Sequence, residues 1–186
     1  TMFTLDGVTL RPLELTDLDA LYAWWNDIEL RMWGGWTPVL SRAAFTQRWT
    51  RTITEPRDEM QMFTIDASNA PAGFIQLADI QRDERRAMIG IAITDPAQRG
   101  KGTGSVALRL LCDYAFTVPC LERLYAEVYS FNARSMRLFE RVGFVREGTL
   151  RQHEYHNGAR QDMHIYGLLK PEFYARYQTI FALPDA

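Results

Sequence analysis

Three glycines at positions 100, 102 and 104 lie between two regularly patterned segments. The apolar run 88–93 predicts a strand, and residues 105–116 predict a helix. A strand, a glycine-rich turn and a helix together present free backbone N–H groups to a phosphate, and glycine lets the backbone come close to it. A solvated turn before a helix is the alternative. The neighbouring Gln98, Arg99 and Lys101 favour a phosphorylated ligand.

The spacing of this loop excludes two common phosphate sites. A nucleoside-triphosphate loop needs Gly, four residues and then Gly-Lys-Ser/Thr, whereas Lys101 is followed by Gly102. A dinucleotide fingerprint needs Gly-x-Gly-x-x-Gly near the start of a βαβ unit. Here the spacing is Gly-x-Gly-x-Gly, and it falls past the middle of the chain.

A second segment narrows the choice of ligand. Asn132-Ala-Arg-Ser135 opens a predicted helix over 133–142, and Gly143-Phe144 follows it. Together with Arg99-x-x-Gly102-x-Gly104, this element resembles the acetyl-CoA signature of the GNAT acyltransferase superfamily. The resemblance runs from residue 8 to about residue 169 and is nearest to the ribosomal-protein N-terminal acetyltransferases, with spermidine acetyltransferases close by.

The resemblance implies how acetyl-CoA, the acyl donor, is held. Loop residues hold the pyrophosphate through backbone N–H groups, aided by the helix dipole and by the Arg99 and Lys101 side chains; these residues are Arg99, Gly100, Lys101, Gly102, Thr103 and Gly104. The strand end pairs with the pantetheine arm like an added strand; its residues are Ile91, Ala92, Ile93 and Thr94. The backbone N–H after Ile91 becomes the oxyanion donor. Asn132 caps its helix, holds the pantetheine, or does both.

The catalytic acid and base are less clearly marked. Many relatives place a tyrosine acid seven residues after the asparagine, but this chain has Phe139 there. Ser135 becomes the acid, unless its hydroxyl bonds back to the first helical turn. A glutamate common on the preceding strand is replaced by Met88, so Glu127 becomes the base. An exposed, ion-paired Glu127 and a chain of waters remain open as alternatives.

The segment 26–40 reads as irregular and is expected near the substrate mouth, where Trp33 and Trp36 could line it. Asp27 and Glu29 could attract a cationic amine there. His153 and His156 do not form a metal motif, because strand alternation sends them to opposite faces. No metal is expected.

Bulk properties are those of one globular domain over residues 1–186. The net charge of −2 gives no reason to expect nucleic acid or a membrane as a partner. No apolar run approaches the roughly 20 residues that span a bilayer, and the two cysteines are expected to be free thiols. A cytoplasmic protein is predicted.

The pattern and the resemblance together predict an α/β fold with a mixed, mostly antiparallel sheet of about seven strands and about four helices. The predicted function is acetyl transfer from acetyl-CoA directly to a primary amine: a protein N-terminus, a polyamine or another small amine. A non-catalytic acyl-CoA-binding module and an enzyme for another acyl group are the alternatives. Exposed strand edges make a homodimer possible.

Overall fold

The computed structural model describes residues 3–34, 38–55 and 57–181. One eight-stranded sheet has the order β1-β2-β3-β4-β5-β6-β8-β7. The strands are β1 (Phe3–Leu5), β2 (Val8–Pro12), β3 (Gln61–Ala67), β4 (Ala70–Gln81), β5 (Arg86–Ile93), β6 (Arg123–Tyr129), β7 (Val145–His156) and β8 (Ala159–Leu169). The α-helices are α1 (Leu18–Trp25), α2 (Ile28–Gly34), α3 (Arg42–Thr54), α4 (Thr103–Thr117), α5 (Ala133–Val142) and α6 (Lys170–Tyr174).

Both faces of the sheet carry apolar side chains, and each face packs against different helices. The larger core joins strand residues such as Ile75, Ile89 and Leu124 to α4, α5 and α6. On the opposite face, α1 and α3 build a smaller core around Phe45, against which Phe74 of β4 packs. This second face is covered by helices over β2–β4, while Glu127 of β6 is exposed on it.

The only parallel pair in the sheet as described is β5 with β6, and it is short. Their register holds for three pairs, from Arg86↔Arg123 to Met88↔Tyr125. Beyond that point β5 continues to Ile93 beside β4, and β6 continues to Tyr129 beside β8. The two strands therefore diverge, and a wedge opens at their carboxyl ends, where parallel α/β sheets bind ligands.

The mixed, mostly antiparallel sheet is confirmed, but the expected numbers of strands and helices are too low. The additional strand is β1, which pairs with β2 across the turn Asp6-Gly7. Both turn residues have positive φ, +47° and +76°. Asp-Gly between alternating apolar residues is a hairpin signal that the sequence carried.

The segment expected to be irregular contains a helix, α2. Asp27 begins it, because the Asp27 carboxylate accepts hydrogen bonds from the N–H groups of Glu29 at 2.9 Å and Leu30 at 3.3 Å. Asp27 therefore has a capping role, and its attraction for the substrate amine stays a prediction. Trp36 lies outside the described residues.

Within the ranges that the structure describes, no helix is long and apolar enough to cross a membrane.

Candidate active site

The wedge leaves one edge of β5 with free backbone groups. The Thr94 N–H donates to Ala72 O of β4 at 2.9 Å. Because antiparallel pairing alternates, Ala92 and Gly90 also direct their backbone groups to β4, whereas Ile91 and Ile93 direct theirs into the wedge. The N–H after Ile91, which was the expected oxyanion donor, therefore points to β4, so that expectation is wrong. The N–H of Ile91 itself faces the wedge.

The glycine loop follows β5 and presents a row of backbone donors. Gly100 and Gly102 have φ of +74° and +91°, in the left-handed region that favours glycine. Gly102 caps α4, which begins at Thr103. Within the described chain, the N–H groups of residues 100–104 have no hydrogen-bond acceptor. Free donors at a helix N-terminus are suited to a phosphate.

Gly104 is constrained by packing instead of backbone conformation. A Cβ at this position would lie 3.4 Å from Cγ1 of Ile93 and 3.5 Å from Cδ1 of Leu138. The first turn of α4 thus lies directly against the end of β5 and against α5. This contact brings the N-termini of α4 and α5 to the same end of the wedge.

The two cationic side chains of the loop differ in their surroundings. Arg99 bonds the carbonyls of Ile93 at 3.1 Å and Thr94 at 3.2 Å, and lies 3.7 Å from Glu29 of α2. Its guanidinium therefore stabilises the end of β5 while keeping its charge beside the loop. Lys101 is exposed and has no partner among the described residues.

Asn132 caps helix α5 and also links it to helix α2. Its Oδ1 accepts the Ser135 N–H at 3.1 Å, so the predicted capping role is confirmed. Its Nδ2 donates to Trp33 O of α2 at 3.1 Å. Any contact of this amide with a pantetheine arm would therefore share or replace the bond to α2.

Ser135 is half-buried on the first turn of α5. It lies one turn before Leu138, on the helix stripe that meets Gly104. The structure shows no hydrogen bond from the Ser135 hydroxyl to a described residue, so the back-bonded alternative is not what this chain adopts. Phe139, at the position of the absent tyrosine, is 3% exposed and packs on Phe144.

Glu127 lies on the open second face of the sheet, between Tyr125 and Tyr129 on the same strand. The carboxylate is exposed and has no ion-pair partner in the described ranges. Tyr125 donates to Asp79 at 2.7 Å, and burial together with this bond raises its pKa to about 12. Burial and then the Glu154 charge raise the pKa of Tyr129. Neutral phenols beside carboxylates make this open face of β6, with Tyr125, Glu127 and Tyr129, suitable for a cation. We call it the acceptor floor.

An aromatic cluster that the sequence did not reveal closes the mouth of the wedge. Phe131 stacks on His156 with ring centroids 5.1 Å apart, and Tyr129 lies 5.3 Å from the same imidazole. Trp33 of α2 lies 6.3 Å from Phe131. The two histidines of β7 differ, since His153 is exposed and His156 is buried. The available sequence signal for this cluster was the run Tyr129-Ser-Phe131, which begins at the last residue of β6.

Comparison with known proteins gives this geometry its context. The model of the acetyltransferase (GNAT) domain matches residues 8–145. The chain belongs to the GNAT acetyltransferase family. It is 37% identical over 181 residues to the putative ribosomal N-acetyltransferase YdaF of Bacillus subtilis, covering 92% of this chain and 98% of that one.

Two solved structures share the fold. The spermidine N-acetyltransferase of Vibrio cholerae, in complex with CoA and spermine, superposes with a TM-score of 0.83 at 27% identity, covering 91% of this chain and 99% of that one. Mycobacterium smegmatis RimJ, in complex with CoA-disulfide, gives 0.78 at 25% identity, covering 89% and 83%.

This GNAT enzyme is an N-acetyltransferase that takes its acetyl group from acetyl-CoA and transfers it to an amine. The site geometry fits that donor independently of the comparisons. Free N–H groups at residues 100–104 match a pyrophosphate, and the unpaired edge of β5 matches the amide-containing pantetheine arm.

Proposed function

We propose that the enzyme acetylates a cationic primary amine, such as a polyamine or a protein N-terminus, that enters over the second face of the sheet. The observation that carries this proposal is the open face of β6, where an exposed Glu127 lies between the phenol rings of Tyr125 and Tyr129. Carboxylates beside aromatic rings bind an ammonium group. The relatives named for ribosomal and spermidine acetylation support the same acceptor class.

The proposed donor site uses the residues on the opposite side of the wedge. The pyrophosphate lies on the N–H groups of Gly100 to Gly104, with the charges of Arg99 and Lys101 beside it. The pantetheine arm runs along the β5 edge from Ile91 to Thr94. Ile91 supplies its N–H and C=O there and Ile93 its N–H, since Arg99 already bonds the Ile93 carbonyl. Asn132 is placed to bond the arm from the α5 side.

The reaction that follows is a direct transfer. Acetyl-CoA supplies the thioester carbonyl that the neutral amine attacks. An N–C bond forms and the C–S bond breaks, so the chain must stabilise negative charge first on the carbonyl oxygen and then on the sulfur. The Ile91 N–H donates to that oxygen. The Ser135 hydroxyl donates its proton to the departing thiolate while it takes a proton from a water molecule, so the serine ends the step neutral.

The amine must also lose two protons, one before attack and one with it. Glu127 attracts the ammonium form and accepts a proton through a water molecule. Because Glu127 is exposed, bulk water can carry these protons away. This assignment makes Glu127 a substrate-binding residue as well as the base.

The test is release of free CoA thiol from acetyl-CoA with a panel of amines. We expect turnover with primary amines that carry a second positive charge or a free peptide N-terminus, and a KM for the amine raised about tenfold in E127Q. Turnover only with neutral amines, or an unchanged KM in E127Q, would contradict the proposed acceptor class.

Binding without turnover over the whole panel would favour a non-catalytic module. A preference for longer acyl-CoAs would reassign the acyl group.

We also propose a homodimer through β7, the terminal strand of the sheet. Most of its twelve residues are exposed, including Val145, Leu150 and Tyr155. An uncovered edge strand can pair with a second copy. Light scattering would give twice the monomer mass if this proposal is correct.

A further inference from the structure

Helix α2 forms one wall of the wedge and is held there by three other elements. Glu29 lies 3.7 Å from Arg99 of the glycine loop, Trp33 O accepts from Asn132 at 3.1 Å, and Met32 O lies 2.8 Å from Nε2 of His156 on β7. A seven-residue helix is too short to be stable alone, so these contacts hold it in place, together with the bonds from Arg31 to the carbonyls of Trp25 and Pro38.

The three contacts are unequal. The Glu29 carboxylate is 64% exposed, and an ion pair of that kind is weak. The Asn132 amide is exposed and also caps α5. His156 is 2% exposed, and its ring is enclosed by Phe131 and Tyr129. A hydrogen bond whose donor is buried costs more to lose, because water cannot replace it.

The chemistry of the contact fixes the proton on His156. A backbone carbonyl only accepts hydrogen bonds, so Nε2 of His156 must carry the hydrogen that Met32 O accepts. The stacked rings hold the imidazole plane so that this N–H points at α2. Sequence position gives no hint of the contact, since 124 residues separate its partners.

We propose that His156 is a positioning residue for the acceptor site: it fixes α2 against the β7 end of the wedge and so sets the affinity for the amine. This inference rests on the proposed function, because it takes the space between α2 and β6 as the acceptor site. His156 acts through α2 and touches neither donor nor acceptor. His156 itself contacts neither the donor-binding loop nor the β5 edge, and it reaches Arg99 and Asn132 only through α2, so its loss should weaken binding of the amine more than binding of acetyl-CoA.

Three variants separate the hydrogen bond from the ring stack. H156Q places an amide donor near the position of Nε2 and keeps the bond to Met32. H156F keeps an aromatic ring between Phe131 and Tyr129 and loses the donor. H164F is the matched control, because His164 lies on β8 and bonds Thr149 at 2.9 Å instead of α2.

The experiment combines steady-state kinetics with hydrogen–deuterium exchange of the peptide covering 28–34, measured without any substrate. In H156F we expect faster exchange of that peptide and an amine KM raised about tenfold, with a smaller rise in the KM for acetyl-CoA. H156Q should restore the wild-type exchange rate of that peptide and the wild-type amine KM. H164F should change neither of them. If H156F does not fold, H156N gives the same contrast, because its shorter amide cannot reach Met32 O.

The proposal is overturned if exchange over 28–34 is unchanged in H156F, if the KM for acetyl-CoA rises as much as the KM for the amine, or if H156Q behaves like H156F. A failure of the proposed function looks different. In that case no amine supports turnover in the wild-type enzyme, while the exchange measurement still decides whether His156 holds α2.

Discussion

The proposed mechanism makes its most specific assignment at Ser135, the general acid. The Ser135 backbone N–H donates to Asn132, and Leu138, one turn further along the same helix, packs against Gly104. Phe139 is buried in the core and carries no proton to give. An acid at this site must therefore come from the first turn of α5 or from water.

Replacing Ser135 with alanine should lower kcat by about a hundredfold to ten-thousandfold, since general-acid catalysis contributes on that order. The KM for acetyl-CoA should stay the same, because the loop donors are backbone groups. S135T keeps a hydroxyl and is the matched control. An S135A enzyme with wild-type kcat and an unchanged pH profile would rule out the serine as the acid.

A second prediction at this scale concerns stability. Asp17 is 5% exposed and accepts hydrogen bonds from Arg11 at 2.7 Å, the Glu14 N–H and Thr64. Burial alone would raise the pKa of Asp17, but these hydrogen bonds outweigh burial and lower its pKa below the ordinary 3.8. Its contribution to stability is therefore present above pH 3.8 and is lost as the pH falls through the lower folded value.

In D17N the free energy of unfolding at pH 7 should fall by about 1–3 kcal/mol, because Arg11 and Thr64 lose a charged acceptor. Its dependence on pH near and below 4 should also become shallower. D19N is the control, since Asp19 forms an exposed ion pair with Arg42 and should change stability by less than about 1 kcal/mol. Urea unfolding at several pH values measures the free energy of unfolding and its dependence on pH for each variant. Equal effects of D17N and D19N would contradict this account.

At the scale of elements, the glycine loop needs its left-handed residues. Alanine at position 102 would meet no atom within 4 Å, so its cost is the backbone strain at φ +91°, about 1 kcal/mol. That strain would move the N–H groups that open α4. We expect G102A to raise the KM for acetyl-CoA about tenfold.

Gly7 provides the comparison for that variant. It has φ +76° and equally open surroundings, but lies in the β1–β2 turn at the far edge of the sheet. G7A should cost similar stability and leave the KM for acetyl-CoA unchanged. If G7A and G102A changed that KM equally, the loop would have no special role.

The elements with strong local patterns were predictable, and those held by distant contacts were not. The glycine loop, α4, α5 and the last hairpin each carry their own caps, turns and periodicity, as Asn132 and Gly143 do for α5. Helix α2 carries a capping Asp27, but its position depends on His156, far along the chain. The direction of the Ile91 N–H depends on the register with β4, which hydrophobic alternation does not determine.

At the scale of the whole molecule, the sheet consists of two arms joined by three parallel pairs. Strands β1–β5 carry the glycine loop, and β6, β8 and β7 carry Glu127 and His156. In the function proposed above, the wedge between the arms brings donor and acceptor together from opposite faces. The central claim is therefore that acetyl-CoA replaces the missing strand pairing along β5.

Hydrogen–deuterium exchange with and without CoA tests this claim most directly. The account predicts slower exchange in two peptides, one covering 89–93 and one covering 100–104, because both sets of free N–H groups gain acceptors. The peptide covering the β1–β2 turn should exchange at the same rate in both samples. Tight CoA binding that leaves 89–93 and 100–104 unprotected would contradict the account.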